Sequence, residues 1–425
     1  MTVPLDAFGS DSGADLQRRI LVVGGGPAGA TTSLLLARNG WDVTLVDRST
    51  FPRGKACGEC LNPGGVALLA EFGLLDRVLE AGATPLTGWD LSTQKGSPAQ
   101  GYFAPEDRGL GIERRTFDHT LLEAAKEAGV EVREGVQVVK VGSGDGRTPA
   151  RARIRLRRGA EVVEEARFVV GADGLGSRVA SASGIHRPVR PPRRASLSWR
   201  IQGWGPPRDR GRLILGEGYT VGVAPVGPPS GSLWNATLVV AGEAARKELS
   251  ARGWDRLQER MESARIPWNT PPEKIDGPWG SGSFHRPVSS ATRNRVVLVG
   301  DAAGYFDPLT GQGIYRALKS AQLLAELLGP KSHVHPGRAL SPVDLALLGL
   351  HGPRLDRAVR SGRRLQKTID VVLSGRLSRR AALASLRAIP SVASGLIRLT
   401  GDRVPFPEGR VASTAPTLPL EHPIL

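Results

Sequence analysis

Short apolar runs, glycine-rich turns and helical patterns alternate in the first part of the chain. An apolar run at Ile20–Val23 is followed by a turn, by a helical pattern over Ala30–Asn39 and by a second apolar run at Asp42–Val46. Gly40 stands where a helix commonly ends on a glycine. The order strand, turn, helix, strand predicts a βαβ unit, whose two strands are parallel.

The rest of the chain also divides by pattern. A helix over Phe117–Ala128 leads into several strand-like runs, and Val296–Val299 reads as a further buried strand. Between them, residues 187–286 are rich in Pro, Gly and Trp and contain short strand-like runs, which predicts a separate sheet domain. A linker at 330–342 precedes a basic stretch with helical periodicity.

The turn after the first strand has the spacing G-x-G-x-x-G at Gly24, Gly26 and Gly29. Gly24 permits a tight turn, Gly26 allows the backbone to approach a pyrophosphate, and Gly29 lets the helix pack closely on the strand. Asp47 ends the next strand about 20 residues later, where an acid accepts a hydrogen bond from a ribose hydroxyl. Together these features predict a dinucleotide site at the N-terminus of the helix.

Two later motifs decide which dinucleotide is expected. Gly171-Ala172-Asp173-Gly174 resembles the G-A-D-G motif of the p-hydroxybenzoate hydroxylase superfamily, and Gly300–Gly313 resembles the second FAD motif of that superfamily. Arg114 matches an arginine that contacts the cofactor in such flavoproteins. The resemblance covers residues 18–320 and implies bound FAD. The cofactor-binding residues predicted in this way are Gly24, Gly26, Ala28, Gly29, Asp47, Arg48, Arg114, Asp173, Asp301, Pro308, Gly311 and Gly313.

The loop Phe51–Glu59 resembles the F-P-R-x-K-x-C-G-[DE] loop of the geranylgeranyl-reductase-like branch, which also resembles flavoprotein monooxygenases of quinone-cofactor biogenesis. In that branch the cysteine lies over the flavin or the substrate cavity, so Cys57 and Glu59 are the catalytic candidates. Cys57 either lines the active site, forms a redox pair with Cys60, or only packs. Glu59 acts as a general base or bonds the backbone of its own loop.

The predicted fold is α/β, a Rossmann-type FAD-binding domain with an inserted mixed β-sheet substrate domain and a C-terminal helical region. The predicted segments are a flexible N-terminus (1–17), the FAD-binding domain in two parts (18–186, with an excursion into the substrate domain near 86–110, and 287–330), the β-sheet substrate domain (187–286), and a linker with a basic helical C-terminal region (331–425).

The net charge of +16 is concentrated in two segments. Arg187–Arg212 holds eight arginines and one aspartate, and His351–Arg403 holds eleven arginines and one lysine against three aspartates. These segments predict an acidic peptide or protein, or an anionic membrane surface, as a partner; the alternative is a solvated surface without a partner. Nucleic acid is not expected, because aromatic residues do not alternate with the basic ones. The oligomeric state is left open.

The sequence also leads to expectations about cellular location and metal binding. Residues 1–17 carry three aspartates and lack the apolar core of a signal peptide. The sequence contains no run of about 18 apolar residues, so a membrane-spanning helix is not expected. A cytoplasmic protein is expected, with a peripheral position on a membrane as the alternative. Histidines and carboxylates do not pair at metal-ligand spacing, so no metal site is expected.

Flavin chemistry leaves three interpretations of function open, because the cofactor carries the reaction and the protein positions the substrate. The leading one is a monooxygenase that hydroxylates a bulky aromatic or apolar substrate, which includes an aromatic side chain of an acidic peptide. The second is a reductase of isoprenoid C=C bonds. The third is a non-catalytic flavin-binding interaction protein. The electrons come from NAD(P)H or from a separate flavin reductase, since a second G-x-G-x-x-G is not present.

Overall fold

A computed structural model describes residues 16–402, except 94–96, 146, 158, 189–193, 283 and 306–310. Pro308, predicted to bind the cofactor, lies outside the described residues. The strands are β1 (Arg19–Val23), β2 (Asp42–Asp47), β3 (Cys60–Leu61), β4 (Thr84–Leu86), β5 (Gly88–Ser92), β6 (Ala99–Tyr102), β7 (Gly109–Gly111), β8 (Glu131–Glu134), β9 (Gln137–Gly142), β10 (Ala150–Arg155), β11 (Glu161–Ala166), β12 (Phe168–Gly171), β13 (Arg194–Gln202), β14 (Arg210–Leu215), β15 (Tyr219–Pro225), β16 (Leu233–Ala241), β17 (Glu273–Gly282), β18 (Thr292–Arg293) and β19 (Val296–Leu298).

The helices connect and cover these strands. They are α1 (Pro27–Arg38), α2 (Pro63–Glu71), α3 (Leu75–Glu80), α4 (Arg114–Glu127), α5 (Arg178–Ala182), α6 (Glu243–Ser263), α7 (Gly313–Leu327), α8 (Pro342–Leu348), α9 (His351–Ala358), α10 (Arg360–Ser374), α11 (Arg376–Ala388) and α12 (Pro390–Thr400). A 3₁₀ turn spans Gly300–Ala303. In the described part of the chain, no single helix has the length and apolar content needed to cross a membrane.

The first sheet has the strand order β18-β19-β12-β1-β2-β8 and is parallel apart from β18. Both of its faces are covered, which is why its strands are almost continuously apolar. Ile20 and Val22 pack with the helical layer, and Leu21 and Val169 pack with the antiparallel sheet of β9, β10 and β11. The glycine turn after β1 and the turn after β19 therefore lie at the carboxyl ends of parallel strands.

The second sheet has the order β17-β13-β16-β15-β14-β5-β6 and is mixed, because β5 and β14 run parallel. It combines strands of residues 194–282 with the hairpin at 88–102. Helix α6 packs on it through Leu257 and Met261, beside Trp199 and Trp234. This helix was not predicted from the sequence, because its surroundings carry many strand, Pro and Gly signals. The mixed α/β architecture and the C-terminal helices confirm the predicted fold class.

Several arginines of the first basic segment have partners inside the protein. Arg200 and Arg212 are buried, and Arg212 lies beside Asp90, with 3.7 Å between the charged atoms. Arg208 donates to backbone carbonyls, among them that of Leu233 at 2.8 Å. These three arginines therefore lie at contacts between elements of the fold, and the C-terminal segment is the part that carries the larger group of exposed cations of the two.

Candidate active site

A cavity of about 760 Å³ is lined by the turns that follow strands of the first sheet, by strands of the second sheet and by the C-terminal helices. Eight of the residues singled out in the sequence line it together: Gly26, Ala28, Cys57, Glu59, Arg114, Asp301, Gly311 and Gly313. Five others lie outside its lining: Gly24, Gly29, Asp47, Arg48 and Asp173. The structure thus brings the two FAD motifs and the Cys57 loop to one place.

The glycine turn has the form that a pyrophosphate requires. A Cβ on Gly29 would lie 1.7 Å from the Gly24 carbonyl oxygen, so helix α1 packs directly against the turn. At Gly26 a Cβ would meet only guanidinium nitrogens, of Arg53 at 3.8 Å and Arg114 at 3.9 Å. Backbone, helix N-terminus and two cations therefore surround a space open to an anion. The residues present fit a dinucleotide cofactor.

Asp47 and Asp173 stand behind this space. The Asp47 carboxylate accepts hydrogen bonds from the backbone N–H of Gly25 and of Ser49, both at 2.7 Å. Asp173 accepts from the N–H of Arg178 at 2.6 Å and thereby caps helix α5, and burial raises the pKa of Asp173. Arg48 is exposed at the end of β2.

Arg114 begins helix α4 and is fixed by a buried ion pair. Its guanidinium donates two hydrogen bonds of 2.7 Å to Asp118, which is also 3.2 Å from the Arg53 guanidinium. Burial lowers the pKa of Arg114, but the charge of Asp118 and the contact with the Cys57 side chain outweigh it, so this pKa lies above its usual value. Arg114 is therefore a permanent positive charge in the cavity wall.

Lys55 also lines this cavity. It belongs to the Cys57 loop, but no function was assigned to it from the sequence. Its side chain is partly buried, and desolvation followed by the charge of Arg114 lowers its pKa, while Asp301 acts in the opposite direction. Its Nζ lies 3.5 Å from the position that a Cβ on Gly174 would occupy, so Lys55 stands beside the G-A-D-G motif. The R-x-K spacing of the Cys57 loop is the signal that could have identified it.

Glu59 is 2% exposed, and its backbone adopts a left-handed φ of 55°. One carboxylate oxygen accepts from the N–H of Arg114 at 2.8 Å and from Arg200 at 3.0 Å. The other accepts from Asn235 at 3.0 Å and again from Arg200. Four donor atoms occupy this carboxylate, which favours the structural alternative for Glu59 over that of a general base.

Cys57 stands between the flavin motifs and the second sheet, which is called the substrate sheet after the predicted substrate domain. Its carbonyl oxygen accepts from the hydroxyls of Thr237 at 3.2 Å and of Ser198 at 3.4 Å, so the substrate sheet holds the loop. Its thiol is partly exposed, lines the cavity and accepts from the N–H of Glu59 at 3.3 Å. Cys60 is a free buried thiol, and burial raises its pKa well above the usual value. Both cysteines line the cavity, and Cys57 is the more exposed of the two.

The remaining lining is mostly aliphatic. The substrate sheet contributes Leu91, Leu213, Leu215 and Val239, and helices α10–α12 contribute Leu373, Leu383, Leu386, Leu396 and Ile397. The aromatic side chains of Trp89 and Tyr219 also line this part. We call it the aliphatic compartment. An ion pair between Arg194 of the sheet and Asp370 of α10 joins its two walls.

The end of α12 is tied to the second FAD motif. The Asp402 carboxylate accepts from Gln312 at 2.7 and 2.8 Å and from Asn62 at 2.7 Å. Burial raises the pKa of Asp402 to about 6, against the opposing effect of these hydrogen bonds. Gln312 stands between two motif glycines, so the C-terminal helices and the flavin motif are coupled directly. No motif or spacing in the sequence signals this contact.

Comparison with known proteins agrees with this geometry. A family model described as FAD binding domain matches residues 17–335. Digeranylgeranylglycerophospholipid reductase 1 of Methanothermobacter thermautotrophicus is 28% identical over 325 residues, 72% of this chain and 76% of that protein. The menaquinone reductase of Mycolicibacterium smegmatis is 28% identical over 327 residues, 73% and 76% of the two chains. p-Nitrophenol 4-monooxygenase PnpA of Pseudomonas putida DLL-E4 shares the fold, with a TM-score of 0.71 at 19% identity over 91% of this chain and 98% of the other.

Proposed function

The chain belongs to the FAD binding domain family within the p-hydroxybenzoate hydroxylase superfamily and is an FAD-dependent oxidoreductase, and from this premise we propose that it reduces carbon–carbon double bonds in a long isoprenoid-type chain. The observation that carries the proposal is the aliphatic compartment, which continues from the flavin motifs and Cys57. Two relatives named as reductases of a digeranylgeranyl lipid and of menaquinone support the same substrate class.

The compartment suits a flexible aliphatic chain better than a compact phenol. Its leucine, valine and isoleucine side chains bury apolar surface without offering directed hydrogen bonds. A hydroxylase of this superfamily gains from a base that removes a phenolic proton. Glu59, the carboxylate that the sequence proposed for that task, is already occupied by Arg114, Arg200 and Asn235. Reduction of a C=C bond needs no such base.

The residues of the chain have definite tasks in this proposal. Gly26 and the N-terminus of α1, together with Arg53 and Arg114, would hold the pyrophosphate of FAD, and Asp301 would hold its ribitol chain. FAD held by these residues would, when reduced, supply the hydride chemistry that the reduction of a double bond requires. The Cys57 thiol faces the cavity from a loop held by the substrate sheet, and it gives the second carbon its proton, which it then recovers from solvent. NAD(P)H or a separate flavin reductase supplies the electrons.

Hydroxylation of a bulky apolar or aromatic substrate is the second candidate. Trp89 and Tyr219 favour it, because their rings line the cavity and would stack on an aromatic substrate. The two candidates differ in their need for dioxygen, and this difference decides between them.

The test uses the FAD-loaded enzyme, reduced with dithionite under strict anaerobiosis and mixed with geranylgeraniol or menaquinone. We expect the oxidised flavin spectrum to return without dioxygen and the product to gain two hydrogen atoms by mass spectrometry. Cys57→Ser should lower the rate of flavin reoxidation and leave FAD content unchanged. A product that gains one oxygen atom, formed only in air, would refute the reductase proposal and support hydroxylation.

A further inference from the structure

The outer face of helices α10–α12 exposes an unusual number of apolar side chains. Val371, Leu377 and Leu399 are 73%, 80% and 53% exposed. On α11 the exposed apolar positions follow one another at three- and four-residue intervals, so they form one stripe along the outside of the helix. We define the C-terminal face by its exposed apolar residues, Val371, Leu377, Ala381, Ala384, Ala388, Ile389, Val392 and Leu399.

The same face is strongly cationic. Residues 360–400 contain nine arginines and lysines and a single acidic residue, Asp370. That aspartate is itself paired with Arg194 of the substrate sheet. The exposed cations of these helices are Arg360, Arg364, Lys367, Arg376, Arg380 and Arg398. Apolar side chains among arginines are the composition of helices that lie in the surface of an anionic bilayer.

The C-terminal face is also the outside of the aliphatic compartment. Leu373, Leu383 and Leu386 line the compartment from the inner sides of α10 and α11. Val392 belongs to both, since it lines the cavity and is 50% exposed. Thr368 and Ser385 likewise line the cavity and are exposed. The cavity wall therefore reaches the surface within the face.

We propose that the C-terminal face binds the surface of an anionic bilayer and that the apolar substrate passes from the bilayer into the aliphatic compartment between α10, α11 and α12. The helix pair α11 and α12 is bent by 109°, which suits helices that lie along an interface. The passage of substrate rests on the proposed function, whereas the binding of the face to lipid does not. An isoprenoid chain dissolves in the bilayer interior, so an entry at this face shortens its path through water.

A bilayer explains the face better than an acidic peptide does. Charge complementarity alone would serve either partner, because the cations attract any polyanion. The side chains of Leu377, Ile389 and Leu399 are accessible over about half or more of their surface and gain only from an apolar environment. A bilayer surface supplies anionic headgroups and an apolar interior at the same time, over the whole face.

The first experiment measures binding of the FAD-loaded enzyme to sedimented vesicles. Vesicles of phosphatidylglycerol and phosphatidylcholine are compared with vesicles of phosphatidylcholine alone, at low and at moderate salt. We expect binding to the anionic vesicles, at least about tenfold weaker on the neutral ones, because each cation near the surface contributes to the attraction. A residual, salt-resistant part should come from the apolar side chains.

Two matched pairs of variants separate the face from the rest of the surface. Arg364→Glu with Arg380→Glu should weaken binding at least about tenfold, whereas Lys140→Glu with Arg153→Glu, the same change of charge on the sheet of β9 and β10, should not. Leu377→Ser should remove much of the salt-resistant binding, and Val163→Ser, another exposed apolar residue on β11, should leave it intact. None of these residues lines the cavity.

The outcomes distinguish this proposal from the proposed function. With substrate in detergent micelles, the face variants should keep the activity of the native enzyme, and with substrate in vesicles they should lose it. An enzyme that binds anionic vesicles through this face but reduces no chain in either form would overturn the function and uphold the docking. Equal binding to both vesicle types, or salt-dependent binding to soluble polyglutamate without vesicle binding, would overturn the docking.

Discussion

Substitution of Glu59 by glutamine tests the conclusion that this residue holds the site together. Glu59 is 2% exposed and accepts four hydrogen bonds, two of them from the buried guanidinium of Arg200. The glutamine side chain would have the same shape but no charge. Its NH₂ group is a donor and would face the donor groups of Arg200 or Asn235, so hydrogen bonds would be lost. Arg200 would keep Glu113, at 3.2 Å, as its remaining close counterion among the described residues.

The expected magnitude follows from these contacts. Removing one partner of a buried ion pair costs about 3–5 kcal/mol, because the other charge remains desolvated. Glu113 offsets part of this cost, so we expect Glu59→Gln to lower the free energy of unfolding by about 3 kcal/mol. For a chain of this length that corresponds to a fall in Tm of roughly 3–4 °C, because the entropy of unfolding grows with the number of residues. FAD content should also fall, since Glu59 fixes the backbone of Arg114.

The assay is thermal and denaturant unfolding of the purified enzyme, with flavin absorbance as a second signal. Glu113→Gln is the matched control: its carboxylate is partly exposed, and we expect a loss below about 1 kcal/mol. The double variant Glu59→Gln with Arg200→Met should recover part of the loss, because both charges are then absent. A native Tm together with a lower kcat and an altered pH profile for Glu59→Gln would refute the reasoning and restore the general base.

Three further predictions concern the cofactor and pH. Gly26→Val should yield folded protein that is largely free of FAD, because the added side chain fills the pyrophosphate space and meets only flexible guanidinium groups; full flavin occupancy, read from the flavin absorbance, would contradict this. Asp301→Ala should weaken FAD binding in a titration by roughly 1.5–3 kcal/mol, the worth of a hydrogen bond to a charged group, and an unchanged affinity would show the motif to be misassigned. Between about pH 4 and 6, folded Asp402 retains a proton that the unfolded chain has lost, so its contribution destabilises the fold as pH rises through this window. Burial lowers the pKa of His351 to about 4, so the contribution of His351 to stability rises with pH over the same range and opposes that of Asp402. The measurement is therefore the difference in the free energy of unfolding between the native chain and Asp402→Asn. This difference should become smaller toward acid pH.

The parts of the site that follow from local backbone chemistry were predictable from the sequence. Gly24 adopts a φ of +108° and Gly29 has no room for a Cβ, so the turn is indicated by the residues that it requires. The coincidence of the two FAD motifs followed from the same logic, because both turns end parallel strands of one sheet. Asp301 and Gly26 accordingly line one cavity.

The parts that depend on distant pairing were not predictable. Glu59 meets Arg200 across 141 residues and Asn235 across 176, and these partners are set by the register of β13 on β16. Arg200 was therefore counted in the sequence as part of a basic segment, whereas in the structure it is the buried counterion of Glu59. Helix α6 was missed for a similar reason: its apolar contacts with Trp199 and Trp234 exist only after the sheet has formed.

The cavity walls that face the flavin motifs and the substrate come from different parts of the chain. The match to the family model ends at residue 335, whereas α10–α12, which form one wall of the aliphatic compartment, come after it. Substitutions in α10–α12 can therefore change substrate selectivity without altering the phosphate-binding turn. The contact of Asp402 with Gln312 links this segment to the flavin motif, so an exchange of the C-terminal helices between relatives that preserves the contact would transfer substrate selectivity as a unit.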